Sequence, residues 1–99
     1  MPLITNSFRR LKTELAEISN GLDVIRELRP IKYHLKSDKE KIPEIGFIAE
    51  EVSPESGIVR GSGDELGLDY SRISVLCVDA IKELEGEVER IKEYLYDRK

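Results

Sequence analysis

Apolar residues in the first third of the chain, Phe8, Leu11, Leu15, Ile18, Leu22, Ile25 and Leu28, recur at steps of three and four. That is the period of one helical face, and it predicts an amphipathic helix, or two, between Phe8 and Leu28. Ser19-Asn20-Gly21 interrupts the stretch with poor helix formers and a cap-and-turn pair, so the pattern also accommodates a helix, a turn and a short second helix. Arg29-Pro30 closes the segment, because a residue before proline is pushed out of the helical region. Ile31 to Leu35 alternates apolar and polar with period two and reads as a half-buried strand. The Lys36 to Lys41 run is a solvated turn, and Ile45, Phe47 and Ile48 after Pro43 predict a second short strand that pairs with the first as a hairpin covered on one face. Glu50-Glu51-Val52 begins a short turn before Ser53-Pro54, and Gly57, Gly61, Gly63 and Gly67 mark a loop or hairpin tip.

A last helix is expected from Asp69-Tyr70-Ser71 onward, with Asp69 or Ser71 as its cap. Within it Cys77, Ile81, Leu84, Val88, Ile91 and Leu95 are spaced 4, 3, 4, 3 and 4, a seven-residue repeat. With Ile81, Val88 and Leu95 at a positions, Cys77, Leu84 and Ile91 fall at d. The mixture of β- and γ-branched residues leaves the strand count open, while Ile at a d position leans away from a dimer. Glu87 at g faces Lys92 at the next e of a parallel neighbour, an opposite-charge pair that favours in-register association. The competing reading of this stripe is a helix packed on its own domain. Three heptads are marginal alone, so the rest of the domain is expected to help hold chains together.

Composition narrows the function. A chain of 99 residues makes one small domain that hides only roughly 60–70% of its unfolded surface, which raises the expectation of partner chains and argues against a large enclosed cavity. The balance of 16 Lys plus Arg against 20 Asp plus Glu gives a net charge of −4, so no global basic field exists to hold nucleic acid. The four tyrosines form no stacking platform interleaved with basic residues. No apolar run approaches the roughly 18 residues of a membrane span, and Met1-Pro2-Leu3-Ile4 is too short for a signal peptide, so the chain is expected to be soluble and intracellular when made.

No cofactor and no metal are expected. The single Cys77, between Leu76 and Val78, reads as a packed thiol, and His34 reads as a strand residue with no second metal ligand nearby. Glu50 and Glu51 are adjacent and project in different directions, which weakens them as an acid/base pair. Gly61-Ser62-Gly63-Asp64 lacks the Gly-Lys-Ser/Thr ending of a phosphate loop.

One further cluster carries chemistry. In Asn6-Ser7-Phe8-Arg9-Arg10-Leu11-Lys12 a hydroxyl precedes a lysine by five residues. A serine needs a base to become a nucleophile, and a lysine serves once desolvation lowers its pKa. Inside a regular helix five residues amount to about 140° of rotation and the two side chains diverge. With Ser7 just outside the helix, its hydroxyl can turn back toward Lys12; otherwise Ser7 is an N-cap and Lys12 a solvated charge.

Four blocks, in order, resemble the endosialidase-type C-terminal intramolecular chaperone, the self-cleaving domain that ends many bacteriophage tail spikes, fibres and neck appendages. Ser7-Phe8-Arg9-Arg10-Leu11-Lys12 resembles the family's opening Ser-Asp-x-Arg-Leu-Lys, with Phe8 in place of Asp. Leu28-Arg29-Pro30-Ile31-Lys32-Tyr33 resembles its Leu-Arg-Pro-x-x-Tyr segment, and Gly46-Phe47-Ile48-Ala49-Glu50-Glu51-Val52 its Gly-apolar-Ile-Ala-Gln-Glu-Val block, with Glu50 in place of Gln. Asp69-Tyr70-Ser71 followed by Ala80-Ile81-Lys82-Glu83-Leu84 is similar to its ending. The resemblance implies a homotrimer that assists folding of an upstream passenger on the same polypeptide and then releases itself. It implies Ser7 as nucleophile, Lys12 as general base and Asn6–Ser7 as the scissile bond. Arg10 matches the family arginine, either positioning the turn or pairing with a carboxylate. Assembly would take place in the bacterial host cytoplasm, leaving the passenger in the virion tail.

The expected fold is therefore α+β and mostly helical: residues 1–6 a passenger remnant or linker, and 7–99 the chaperone domain. Within it, 7–28 is a helical segment, 31–68 a hairpin and glycine-rich loop, and 69–99 a helix forming a parallel coiled coil in a homotrimer through Cys77, Ile81, Leu84, Val88, Ile91 and Leu95. The rival from another class is a noncatalytic trimerisation module that sets chain number and register.

Overall fold

The computed structural model describes residues 7–97. Two helices, α1 (Gly21–Glu27) and α2 (Tyr70–Asp97), frame two small antiparallel hairpins, β1 (Ile31–Tyr33) with β2 (Glu44–Gly46) and β3 (Val59–Arg60) with β4 (Gly67–Leu68). Short 3-10 turns at Arg9–Leu11, Ala49–Glu51, Pro54–Ser56 and Gly63–Glu65 fill the connections. Helix is concentrated in α2, whose 28 residues give it a length of about 42 Å. No described helix is long and apolar enough to cross a membrane.

The first hairpin pairs Ile31 with Gly46 and Tyr33 with Glu44. Its connection is organised by Asp38, whose carboxylate accepts the N–H groups of Glu40 at 3.0 Å and Ile42 at 2.9 Å. This is how a charged run closes into a turn without apolar contacts. The second hairpin pairs Val59 with Leu68 and Arg60 with Gly67, and occupies the glycine-rich stretch. Gly61 there takes φ +75°, and a Cβ at that position would run into the Glu65 carbonyl, so the turn admits only glycine.

α2 starts where Asp69 ends the second hairpin. Ser71 Oγ donates to Asp69 Oδ1 at 2.6 Å and Arg72 Nε lies 3.1 Å from Oδ2, which together hold the Asp69 carboxyl below its usual range. The core forms where α1 lies on the first turns of α2. Val24, Val52, Ile58, Ile73 and Leu76 are buried, with Ala80 one turn further along. Glu27 accepts from both the N–H and the hydroxyl of Ser53, tying α1 to the turn after β2.

The helical period between Phe8 and Leu28 is realised only in part. A 3-10 turn covers Arg9–Leu11, residues 12–20 carry neither helix nor strand, and α1 begins at Gly21. The reason is packing. The stripe of α1 buries Val24 against α2, whereas Leu11, Leu15 and Ile18 remain 59%, 93% and 45% exposed. A short helix with no surface to pack against does not repay its nucleation. The radius of gyration is 18.2 Å, against about 13 Å for a compact domain of this size, because the leading segment and the distal half of α2 both stand clear of the core.

Candidate active site

Phe8 is extended (φ −66°, ψ 141°), the 3-10 turn follows, and Lys12 is extended again (φ −128°, ψ 147°). The turn is closed by Leu11 N–H to the Phe8 carbonyl at 3.1 Å and Lys12 N–H to the Arg9 carbonyl at 3.0 Å. Reversing the chain over three residues brings the ends together, and Lys12 Nζ donates to Ser7 Oγ at 2.6 Å. An α-helix through the same residues would have separated them. Ser7 and Lys12 are both exposed and share an open groove with Arg9, Thr13 and Glu14.

Arg10 does not reach a carboxylate among the described residues. Its guanidinium sits 4.9 Å from the centroid of the Phe8 ring, an exposed cation–π contact. Phe8 thus supplies the arginine with a ring face. Asn6, on the other side of the expected scissile bond, lies outside the described residues.

The remaining motif blocks meet behind the first hairpin. Arg29 donates to both oxygens of Glu51, from Nε at 3.2 Å and from Nη2 at 2.8 Å. This fork raises the Arg29 pKa and, through the hydrogen bond first and the charge second, lowers that of Glu51. Glu51, and not the adjacent Glu50, is the carboxylate that Arg29 holds. Tyr70 is the first residue of α2. Its hydroxyl accepts the Phe47 N–H at 3.1 Å, and its ring stacks on Phe47 with centroids 5.7 Å apart. Gly46 leaves room for this, since a Cβ there would lie 2.8 Å from the Tyr70 hydroxyl oxygen. Each of these residues belongs to one of the motif blocks, and none has a partner that its spacing in sequence names. Such pairings span more than twenty residues and leave no local signal.

A sequence profile of the family described as chaperone of endosialidase matches residues 7–56. The chain belongs to this family. The match opens at Ser7, and contains the Ser7–Lys12 turn, the Arg29–Glu51 pair and the first hairpin. The family, named also as a peptidase, supports a chaperone role for this domain. No curated protein matches the chain.

The six residues of the heptad stripe, in the part of this chaperone domain beyond the match, line one side of α2. Ile81, Leu84, Val88, Ile91 and Leu95 are 46–64% exposed, and Cys77 is half-buried at the edge of the core. Their own chain leaves the five from Ile81 to Leu95 largely uncovered. Lys92 lies 3.5 Å from Glu89 of the same helix. His34 sits just past β1, exposed, with Nδ1 3.1 Å from the Leu35 carbonyl oxygen. Among the described residues no group of three or more His, Cys, Asp or Glu side chains gathers as a metal site.

Proposed function

We propose that this domain assembles as a homotrimer, assists the folding of an upstream passenger on the same polypeptide, and releases itself by cutting Asn6–Ser7. The observation that carries the chemistry is the 2.6 Å contact between Lys12 Nζ and Ser7 Oγ at the opening of the family match. The observation behind assembly is the exposed heptad stripe on α2. A coiled coil of three such helices removes five large apolar side chains per chain from water, and its parallel register fixes three passengers side by side. Assembly in a bacterial host cytoplasm, with the passenger ending in a phage tail, goes with this reading.

In the proposed reaction neutral Lys12 takes the hydroxyl proton of Ser7, and Oγ attacks the Asn6 carbonyl carbon. The C–N bond to Ser7 breaks as the Oγ–C ester forms, and Lys12 returns the proton to the departing amine. Water then hydrolyses the ester, leaving an Asn6 carboxylate and restoring the Ser7 hydroxyl. Lysine acts as a base only when unprotonated, a form favoured where water is withdrawn. Phe8, 60% exposed beside the pair, offers the apolar surface on which a neighbouring chain would do that.

The second reading, a trimerisation module without cleavage, is favoured by the same Phe8, which occupies Arg10 with a ring in place of a carboxylate. Intact mass separates the two. A chain carrying its natural upstream sequence is expected to give a trimer natively and, after denaturation, fragments ending at Asn6 and beginning at Ser7. Ser7→Ala should keep the trimer and abolish the cut. A full-length denatured mass for the unaltered chain would leave the assembly role alone, and a cut persisting in Ser7→Ala would remove Ser7 as nucleophile.

A further inference from the structure

The heptad seam accounts for one uncovered surface of the chain and leaves another. Every residue from Ser7 to Asn20 is exposed, and Leu15 is 93% exposed. Behind this segment an apolar groove of about 290 Å³ opens between Ile58, Gly57, Val75 and Leu76, with Ile18 along one edge and Arg72 at its rim. Ile18 already borders the groove, while Leu15, three residues earlier, projects away from its own chain. Val75 is 53% exposed and stands six residues before Ile81, so it falls at a b position. Closing the a/d seam therefore leaves the groove open.

We propose that the 12–20 segment is an arm that seats Leu15 in the Ile58–Val75–Leu76 groove of a second copy of this chain. The inference rests on the self-assembly proposed above and specifies a contact that the seam does not make. Each chain carries one arm and one groove, so a closed ring of copies satisfies all of them, as a repeated heterologous contact requires. Charge agrees with this occupant. Glu14 and Glu17 flank Leu15, and among the described residues neither is ion-paired. The groove rim carries Arg72, and Arg60 lies close enough to help draw down the Asp69 carboxyl beside it. Arg72 is the charged residue that lines the groove, and Arg60 adds a second cation near Asp69, opposite an acidic arm. The exchange also carries Ser7 and Lys12, at the start of the arm, onto the surface of the neighbour.

Cysteines at the two ends of the proposed contact test it. Leu15→Cys and Val75→Cys are combined in a Cys77→Ala chain, oxidised under native conditions, and read by mass and non-reducing gel beside each single variant. Covalently linked oligomers from the double variant alone are expected. An exclusively intramolecular link would assign the groove to the chain's own arm, and no link in a protein whose native mass is oligomeric would overturn the arm exchange while leaving the seam standing. A monomeric native mass for the unaltered chain would overturn both. A second comparison does not depend on cysteine chemistry: Leu15→Glu should lower the melting temperature of the assembled protein and have no effect in a Leu84→Asp monomer. Equal behaviour in both would count against the contact.

Discussion

Gly21 gives its N–H to Asp79 Oδ2 at 2.7 Å, at the point where α1 touches α2. No side chain from Asn20 caps α1, so a carboxylate from the other helix satisfies the first N–H group of α1 across the interface. A Cβ on residue 21 would lie 2.5 Å from the Leu76 carbonyl oxygen and 2.9 Å from the Ala80 nitrogen, both backbone atoms that cannot move aside. The Asn20-Gly21 pair that reads in sequence as a turn is thus also the residue that lets two helices close on each other.

Gly21→Ala is accordingly expected to destabilise the domain by roughly 1–3 kcal/mol, the ordinary cost of forcing atoms into a packed contact. Thermal or urea unfolding followed by circular dichroism measures it. An unchanged midpoint would mean that α1 slides along α2 at little cost.

The same junction holds a pH-dependent weakness. One Glu83 oxygen is buried with no hydrogen-bond partner among the described residues, next to Asp79. The Glu83 carboxyl is raised above its usual range first by Asp79, to which only a protonated Glu83 could donate a hydrogen bond, then by burial and by the charges of Asp79 and Asp23. A group that binds its proton more tightly in the folded chain adds stability below its unfolded pKa and loses it as pH rises through the folded value. Glu83→Gln, which supplies a permanent donor, should therefore raise the melting temperature at pH 7 and give no advantage near pH 4.

Arg29 and Glu51 behave with the opposite sign. Glu51 is lowered by the hydrogen bond and charge of Arg29, so its contribution is present above the ordinary carboxylate pKa and lost as pH falls through the lowered folded value. Glu51→Gln should lower the melting temperature at pH 7, and the difference from the parent should shrink as acid protonates the parent's Glu51. Arg29→Ala should follow the same profile, and the double variant should cost less than the two single changes added together.

Leu84 lies at the centre of the α2 stripe and is 46% exposed in the single chain. Leu84→Asp should leave the α1–α2 core and the first hairpin folded while reducing the native mass to that of a monomer. Analytical ultracentrifugation against the parent decides it, and an unaltered oligomer would place the association elsewhere.

Much of this architecture is written in local patterns. Alternation over Ile31–Leu35 and the apolar residues after Pro43 made the first hairpin legible, though its strands are shorter, Ile31–Tyr33 and Glu44–Gly46; four glycines marked a loop or hairpin tip where the second hairpin forms, and the spacing from Cys77 to Leu95 drew the long helix and its exposed stripe. Each of these depends on residues within a few positions of one another, which is the range over which turn chemistry and side-chain periodicity act. The Ser-to-Lys spacing was legible as well, but only the 3-10 turn decided that the two side chains meet.

Tertiary structure decided the rest. The repeat from Phe8 to Leu28 satisfies a helical period throughout, yet only Gly21–Glu27 is α-helical, because only there does the apolar face find α2. Periodicity states which face would be buried and not whether anything covers it. The partners of Arg29, Tyr70, Gly21 and Ser53 lie 22 to 58 residues away, where no local preference speaks. They were settled by which surfaces the hairpins and helices bring together once the small core around Ile58 has closed.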